Sequence, residues 1–211
     1  QKISRQKLEK TIIQIYVNPD FKDKSIEIGY RPNDEIGSNS PEEIEIKDKQ
    51  EITNGHAKWV LNLSKSHRIR SKSLKNPFMY YYLIEPGDSI NIFYTSNNLR
   101  FSGRGSAKFQ LIYQMSSIVD SLSVSSDYKK LSDEYDVVRS LKDFLSWNNF
   151  LNIKSNTLQK LLDEYKNQIS YEVYNSVKGG FLQGIEMIRL WKFRQLTRRP
   201  DDTFKSNSEP L

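Results

Sequence analysis

The sequence predicts an α+β protein: a β-rich N-terminal part, read as an antiparallel or mixed sheet, followed by a C-terminal three-helix part. Three observations carry this. Short β-branched and aromatic runs bounded by Pro, Gly, Asn or Asp fill the first 115 or so residues. The apolar period then changes from 2 to 3.6. Finally, a Ser-rich stretch, "SSIVDSLSVSSD" at 116–127, falls between the two regimes.

Taken in order, the opening "ISRQKLEKTIIQIY" is read as a helix, although its Ile13, Ile15 and Val17 also alternate as a strand would. "SIEIGYR", "EEIEIK", "KWVLNLS", "FMYYYLI", "SINIFYT" and "AKFQLIYQM" are read as strands. "EPGD" at 85–88 is a turn signal, and "TSNNLRFSGRGS" at 95–106 is a longer loop or a hairpin. Beyond the Ser-rich linker, Leu131, Tyr135, Val138, Leu141 and Leu145 form one helical stripe. Leu158, Leu162, Tyr165, Ile169, Val173 and Val177 form another. "SWNN" is read as the break between them, "SNT" as an N-cap, and Gly179–Gly180 as a glycine C-cap. "FLQGIEMIRLWKFRQLTRR" makes the third helix, with cations in its last turn where the macrodipole favours them. The expected organisation is a β-rich domain at 1–115, a linker at 116–127, a helical domain at 128–199 and a disordered tail at 200–211.

Composition removes several function classes. There is no Cys among the 211 residues, so disulfides, thiolate zinc sites and a cysteine nucleophile are excluded. No apolar run approaches the roughly 20 residues that span a bilayer, and "QKISRQKLEK" lacks the apolar centre of a signal peptide. A soluble, intracellular protein is the expectation. His56 and His67 sit in no H-E-x-x-H pattern, no G-x-S-x-G occurs, and "FSGRGS" lacks the lysine and spacing of a phosphate-binding loop.

Net charge is +6, from 32 Lys and Arg against 26 Asp and Glu, which favours polyanionic partners only where the cations cluster. Two clusters contain no acid: Lys65, Arg68, Arg70, Lys72 and Lys75 in "SKSHRIRSKSLKNP", and Arg189, Lys192, Arg194, Arg198 and Arg199 in "RLWKFRQLTRRP". Arg100, Arg104 and Lys108 form a third, looser line. Cations interleaved with Ser, Asn and His can hold phosphate oxygens by charge and by hydrogen bond. Trp59, Tyr80 to Tyr82, Phe101, Trp191 and Phe193 lie close enough in sequence to stack on exposed bases, although such rings in strands and amphipathic helices more often belong to a core.

One further pattern carries metal chemistry. Asp20 in "NPDF", with Glu45 and Lys47 in "EIEIK", resembles the motif of PD-(D/E)xK nucleases. That resemblance implies two carboxylates, Asp20 and Glu45, holding Mg²⁺, and Lys47 orienting the attacking water. The (D/E)xK triplet also occurs at Asp20–Lys22, Asp127–Lys129 and Glu164–Lys166, so it is the strand setting of Glu45 that singles it out. The leading expectation is a basic nucleic-acid-binding protein, DNA or RNA, holding phosphates through Lys65, Arg68, Arg70, Lys72, Arg100, Arg104, Arg194, Arg198 and Arg199. The alternatives are a Mg²⁺-dependent endonuclease, and an assembly protein acting through protein partners or self-association of its helical part. A membrane surface is the weaker partner, because the apolar helix faces are wanted for packing.

Overall fold

The computed structural model describes residues 7–32, 46–71, 82–95, 98–124 and 141–198. Eight strands come first: β1 (Glu9–Val17), β2 (Ser25–Pro32), β3 (Ile46–Glu51), β4 (His56–Leu63), β5 (His67–Ser71), β6 (Tyr82–Ile84), β7 (Ser89–Thr95) and β8 (Asn98–Arg104). Helices α1 (Ser106–Val124), α2 (Leu141–Tyr165) and α3 (Tyr171–Lys178) follow, then a π-helical segment (Gly179–Gln183) and α4 (Gly184–Arg198). The class is α+β, as the change of period predicts.

The chain divides into two compact units, one of Gln1–Gln114 with Asn167–Val173 and one of Met115–Lys166 with Tyr174–Leu211. The first holds two four-stranded sheets, ordered β4-β1-β7-β8 and β3-β2-β5-β6. Within the first sheet β1 runs antiparallel to β4 and parallel to β7, while every pairing of the second sheet is antiparallel. One face of each sheet is dry. Ile13, Ile15, Trp59, Ile90 and Ile92 are buried from the first sheet, and Ile26, Ile28, Ile69, Tyr82 and Ile84 from the second. Tyr82 stacks on Phe109 of α1 at 4.8 Å and lies 6.0 Å from Phe101 of β8, so one aromatic group joins both sheets to the helix start.

Four local expectations are corrected. The opening segment is strand β1, because only period 2 buries Ile13 and Ile15 together while Gln14 and Tyr16 stay half-exposed. "AKFQLIYQM" is helix, since Phe109, Ile112 and Met115 are buried three residues apart. That helix runs on to Val124, so residues 116–124 are its continuation and not a linker. α2 passes through "SWNN" without a break: Trp147, Phe150, Leu151, Leu158 and Leu162 form its buried stripe, and Leu145 is 59% exposed. Thr157 sits mid-helix and donates to the carbonyl of Ile153 at 2.8 Å, so "SNT" caps nothing. The working cap is Ser170, whose Oγ accepts from the Val173 backbone N–H at 3.1 Å as α3 begins. Leu131, Tyr135, Val138 and the tail at 200–211 lie outside the described residues.

Gly179 and Gly180 do not end a helix. Neither has the left-handed conformation of a glycine cap, and the backbone continues through the π segment into α4. A π turn carries an extra residue and turns everything after it by roughly 100° relative to an unbroken α-helix. The facing of α4 therefore cannot be extrapolated from the stripe of α3.

Candidate functional surfaces

The residues resembling a nuclease site are spread apart. Asp20 is exposed in the turn after β1, which belongs to the first sheet. Lys47 is exposed on β3, an edge strand of the second sheet. Glu45 lies outside the described residues. Strands β1 and β3 are not neighbours, and among the described residues no three His, Cys, Asp or Glu cluster to hold a metal ion.

The first basic cluster becomes strand β5, flanked on both sides. Its register sets Arg68 opposite Arg31 and Arg70 opposite Gly29, while Lys47 and Lys49 of β3 stand opposite Gly29 and Glu27. Alternation puts all five cations on the face away from Ile26, Ile28 and Ile69, together with Glu27 and Glu51. Three of them, Arg31, Arg68 and Arg70, are half-buried and already engaged by neighbouring groups. Lys65 lies in the β4–β5 turn. Arg100 and Arg104 are exposed on β8 of the first sheet, and Arg194 is exposed on α4. Arg198 is the last residue of α4, and Lys72 and Arg199 lie outside the described residues. The phosphate-binding set expected from sequence is thus distributed over several surfaces, and the grouping of Arg31, Lys47 and Lys49 with Arg68 and Arg70 becomes visible only through strand pairing.

The aromatic expectations divide the same way. Trp59 and Tyr82 are core residues, 1% and 0% exposed, and Phe101 packs against Tyr82, Phe109 and Tyr113. Tyr80 and Tyr81 lie outside the described residues. The first sheet's outer face does carry a cross-strand ladder, His56–Tyr16–Phe93, with ring centroids 4.7 and 4.9 Å apart and nearly parallel planes. Next to it Gln14 donates to Asn91 at 2.8 Å and Asn91 to Ser102 at 3.3 Å. The rings stack on one another and turn mainly edges outward, which fixes strand register more than it offers a platform for bases.

The "EPGD" turn is an electrostatic knot. Lys108 Nζ lies 2.6 Å from Glu85 Oε2 and 2.7 Å from Asp88 Oδ2, with its side chain 3% exposed. Asp88 also accepts from the Glu85 backbone N–H at 2.7 Å, and Thr11 Oγ1 accepts from Gly87 N–H at 3.1 Å. Ser170 donates to the second Glu85 oxygen at 2.5 Å. Burial pushes the Asp88 carboxyl above the usual carboxylate range, against the opposing pull of Lys108. A hollow of about 530 Å³ beside it is lined by Glu9, Lys65, Glu85, Asp88, Arg104 and Glu172. All its strongest contacts are mutual, so the knot is a structural clamp that fastens the turn to β1 and to the first turn of α1.

Helix α4 is inverted in polarity. Its inward side carries Ile185 and buried Lys192, together with Arg189, which donates to Asn152 of α2 at 2.8 Å. Its outward side carries Met187, Leu190, Trp191 and Phe193, exposed by 71, 62, 48 and 47%. Phe193 touches solvent while its ring lies 5.8 Å from Phe144 of α2. Sequence reasoning noted a broad apolar face here but assigned it to packing within the chain. The available signal was Lys192, placed about opposite Leu190 on the helical wheel, so that one of the two must face away from water.

No protein-family model matches the chain, and no curated protein matches it. Among solved structures, a Bacteroides ovatus ATCC 8483 protein provisionally described as a cell adhesion protein aligns over 46% of this chain and 43% of its own, with 11% identity and a TM-score of 0.24. The chain thus spans less than half of that protein, and a likeness of this size carries no argument about fold or function. Among the described residues no helix is long and apolar enough to cross a membrane.

Proposed function

We propose that this chain is a protein-interaction module that docks a partner through the outward stripe of α4. The observation that supports it is the exposure of Met187, Leu190, Trp191 and Phe193 on a helix that buries Lys192. Four large apolar side chains left in water cost free energy in proportion to their area, and a contiguous patch of this kind is what interaction sites look like on isolated subunits. Trp and Met are also enriched where interfaces concentrate their binding energy. A photo-reactive amino acid placed at position 190 should form one adduct of defined mass in cells expressing the protein. The same group at position 47, on exposed β3, should not. Equal labelling from both positions would overturn the reading.

The outward face of the second sheet favours a second reading, nucleic-acid binding. Arg31, Lys47, Lys49, Arg68 and Arg70 on one face exceed its two acids, which suits a phosphate backbone. If all five reach phosphate, log K should fall by about 3.5 to 4.5 per decade of salt. An affinity for DNA and RNA that does not change between low and high salt removes this reading.

A further inference from the structure

We infer that the partner of the α4 stripe is a second copy of this chain, docked as an antiparallel, isologous helix pair centred on Leu190. This rests on the docking role proposed above and names the occupant. The residues one turn either side of Leu190 are Met187 and Phe193 at three residues and Glu186 and Arg194 at four, so all share its face of the helix. In an antiparallel pair about Leu190, Met187 of each copy meets Phe193 of the other, and Glu186 of each meets Arg194 of the other. The stripe is apolar at its centre with opposite charges at its two ends, which makes it complementary to itself turned around and not to itself in parallel.

The area agrees. With large side chains offering on the order of 200 Å² each, the exposed fractions of the four apolar residues leave about 400 Å² per copy. Adding the flanking Glu186, Arg194 and Thr197, two copies would bury on the order of 1,000 Å², the lower bound of a specific interface. The pair is therefore reversible and of micromolar affinity, and not an obligate dimer. Glu186 already pairs with Arg189 of its own helix at 3.1 Å, but its side chain is 52% exposed and its second oxygen remains for a neighbour.

The test uses the whole chain. Sedimentation equilibrium across micromolar concentrations should show a monomer–dimer equilibrium that Leu190→Glu abolishes with an unchanged circular-dichroism spectrum. Arg194→Glu alone should weaken dimerisation about tenfold, because it sets two acids face to face at each end. Combining it with Glu186→Arg should recover most of that loss, which a nonspecific apolar contact would not do. Because the chain has no Cys, Leu190→Cys supplies one thiol on the symmetry axis and should oxidise to a linked dimer faster than Lys47→Cys. A dimer that survives Leu190→Glu, a charge swap without recovery, or equal oxidation of both cysteine variants would overturn the pairing. If the chain is monomeric yet position 190 still photo-crosslinks one other protein, the docking role stands and only the second copy falls.

Discussion

At the scale of the residue, the Lys108 knot shows how a charge can serve a fold. A lysine in the first turn of a helix opposes the macrodipole, and here Glu85 and Asp88 cancel it at 2.6 and 2.7 Å. Lys108→Met should leave both carboxylates unpaired and cost about 3–5 kcal/mol, read from urea denaturation. The knot also sets a pH dependence. Because burial raises the Asp88 pKa in the folded state, its contribution is fully present below the ordinary Asp value of about 3.9 and is lost as pH rises through the folded value. Asp88→Asn cannot titrate, so the stability of the native protein relative to this variant should increase as pH falls from 7 toward 4. A difference that is constant with pH would contradict the shift. "EPGD" is legible as a turn, whereas the role of Asp88 is not, because its partner Lys108 lies on a helix that the alternation of "AKFQLIYQM" disguises.

At the scale of the element, two glycines predict opposite outcomes. Gly105 joins β8 to α1 at φ +88°, and a Cβ there would run into the Asp88 carboxylate. Gly105→Ala should cost about 1–3 kcal/mol from backbone strain alone, plus the displaced Asp88. Gly180 has nothing within 4 Å of the position a Cβ would take and lies in continuous helical backbone. Gly180→Ala should therefore raise stability by about 0.5–1 kcal/mol, seen as a higher midpoint in thermal or denaturant melts. A true glycine cap would have given a loss instead. This is the clearest divergence from what the sequence alone suggests: two adjacent glycines after a helical stripe normally mark an end, and local propensity contains nothing that distinguishes a π turn. The strands were easier to read, since "SIEIGYR", "KWVLNLS" and "SINIFYT" each alternate between core and water. "EKTIIQIYV" has Ile12 beside Ile13 and so satisfies both periods until the neighbouring strands β4 and β7 decide it.

At the scale of the whole molecule, the two readings place function on different units. The cationic sheet face belongs to the first unit and α4 to the second, so substitutions on one should leave the other's behaviour intact. Sequence showed the cations as linear clusters, but their grouping on β2, β3 and β5 depends on pairing between segments up to about 40 residues apart. It showed the apolar residues of α4 as well, and could not show which way they face, because that is set by the π segment before them. Arg68→Glu with Arg70→Glu should lower retention on a heparin column, since it reverses two charges on one face, while the molecular mass in solution stays the same. Leu190→Glu should do the reverse: lost self-association and unchanged heparin retention. If the charge reversals disturb the mass and Leu190→Glu disturbs retention, the two surfaces are not independent, and function would have to be sought in a site to which both contribute.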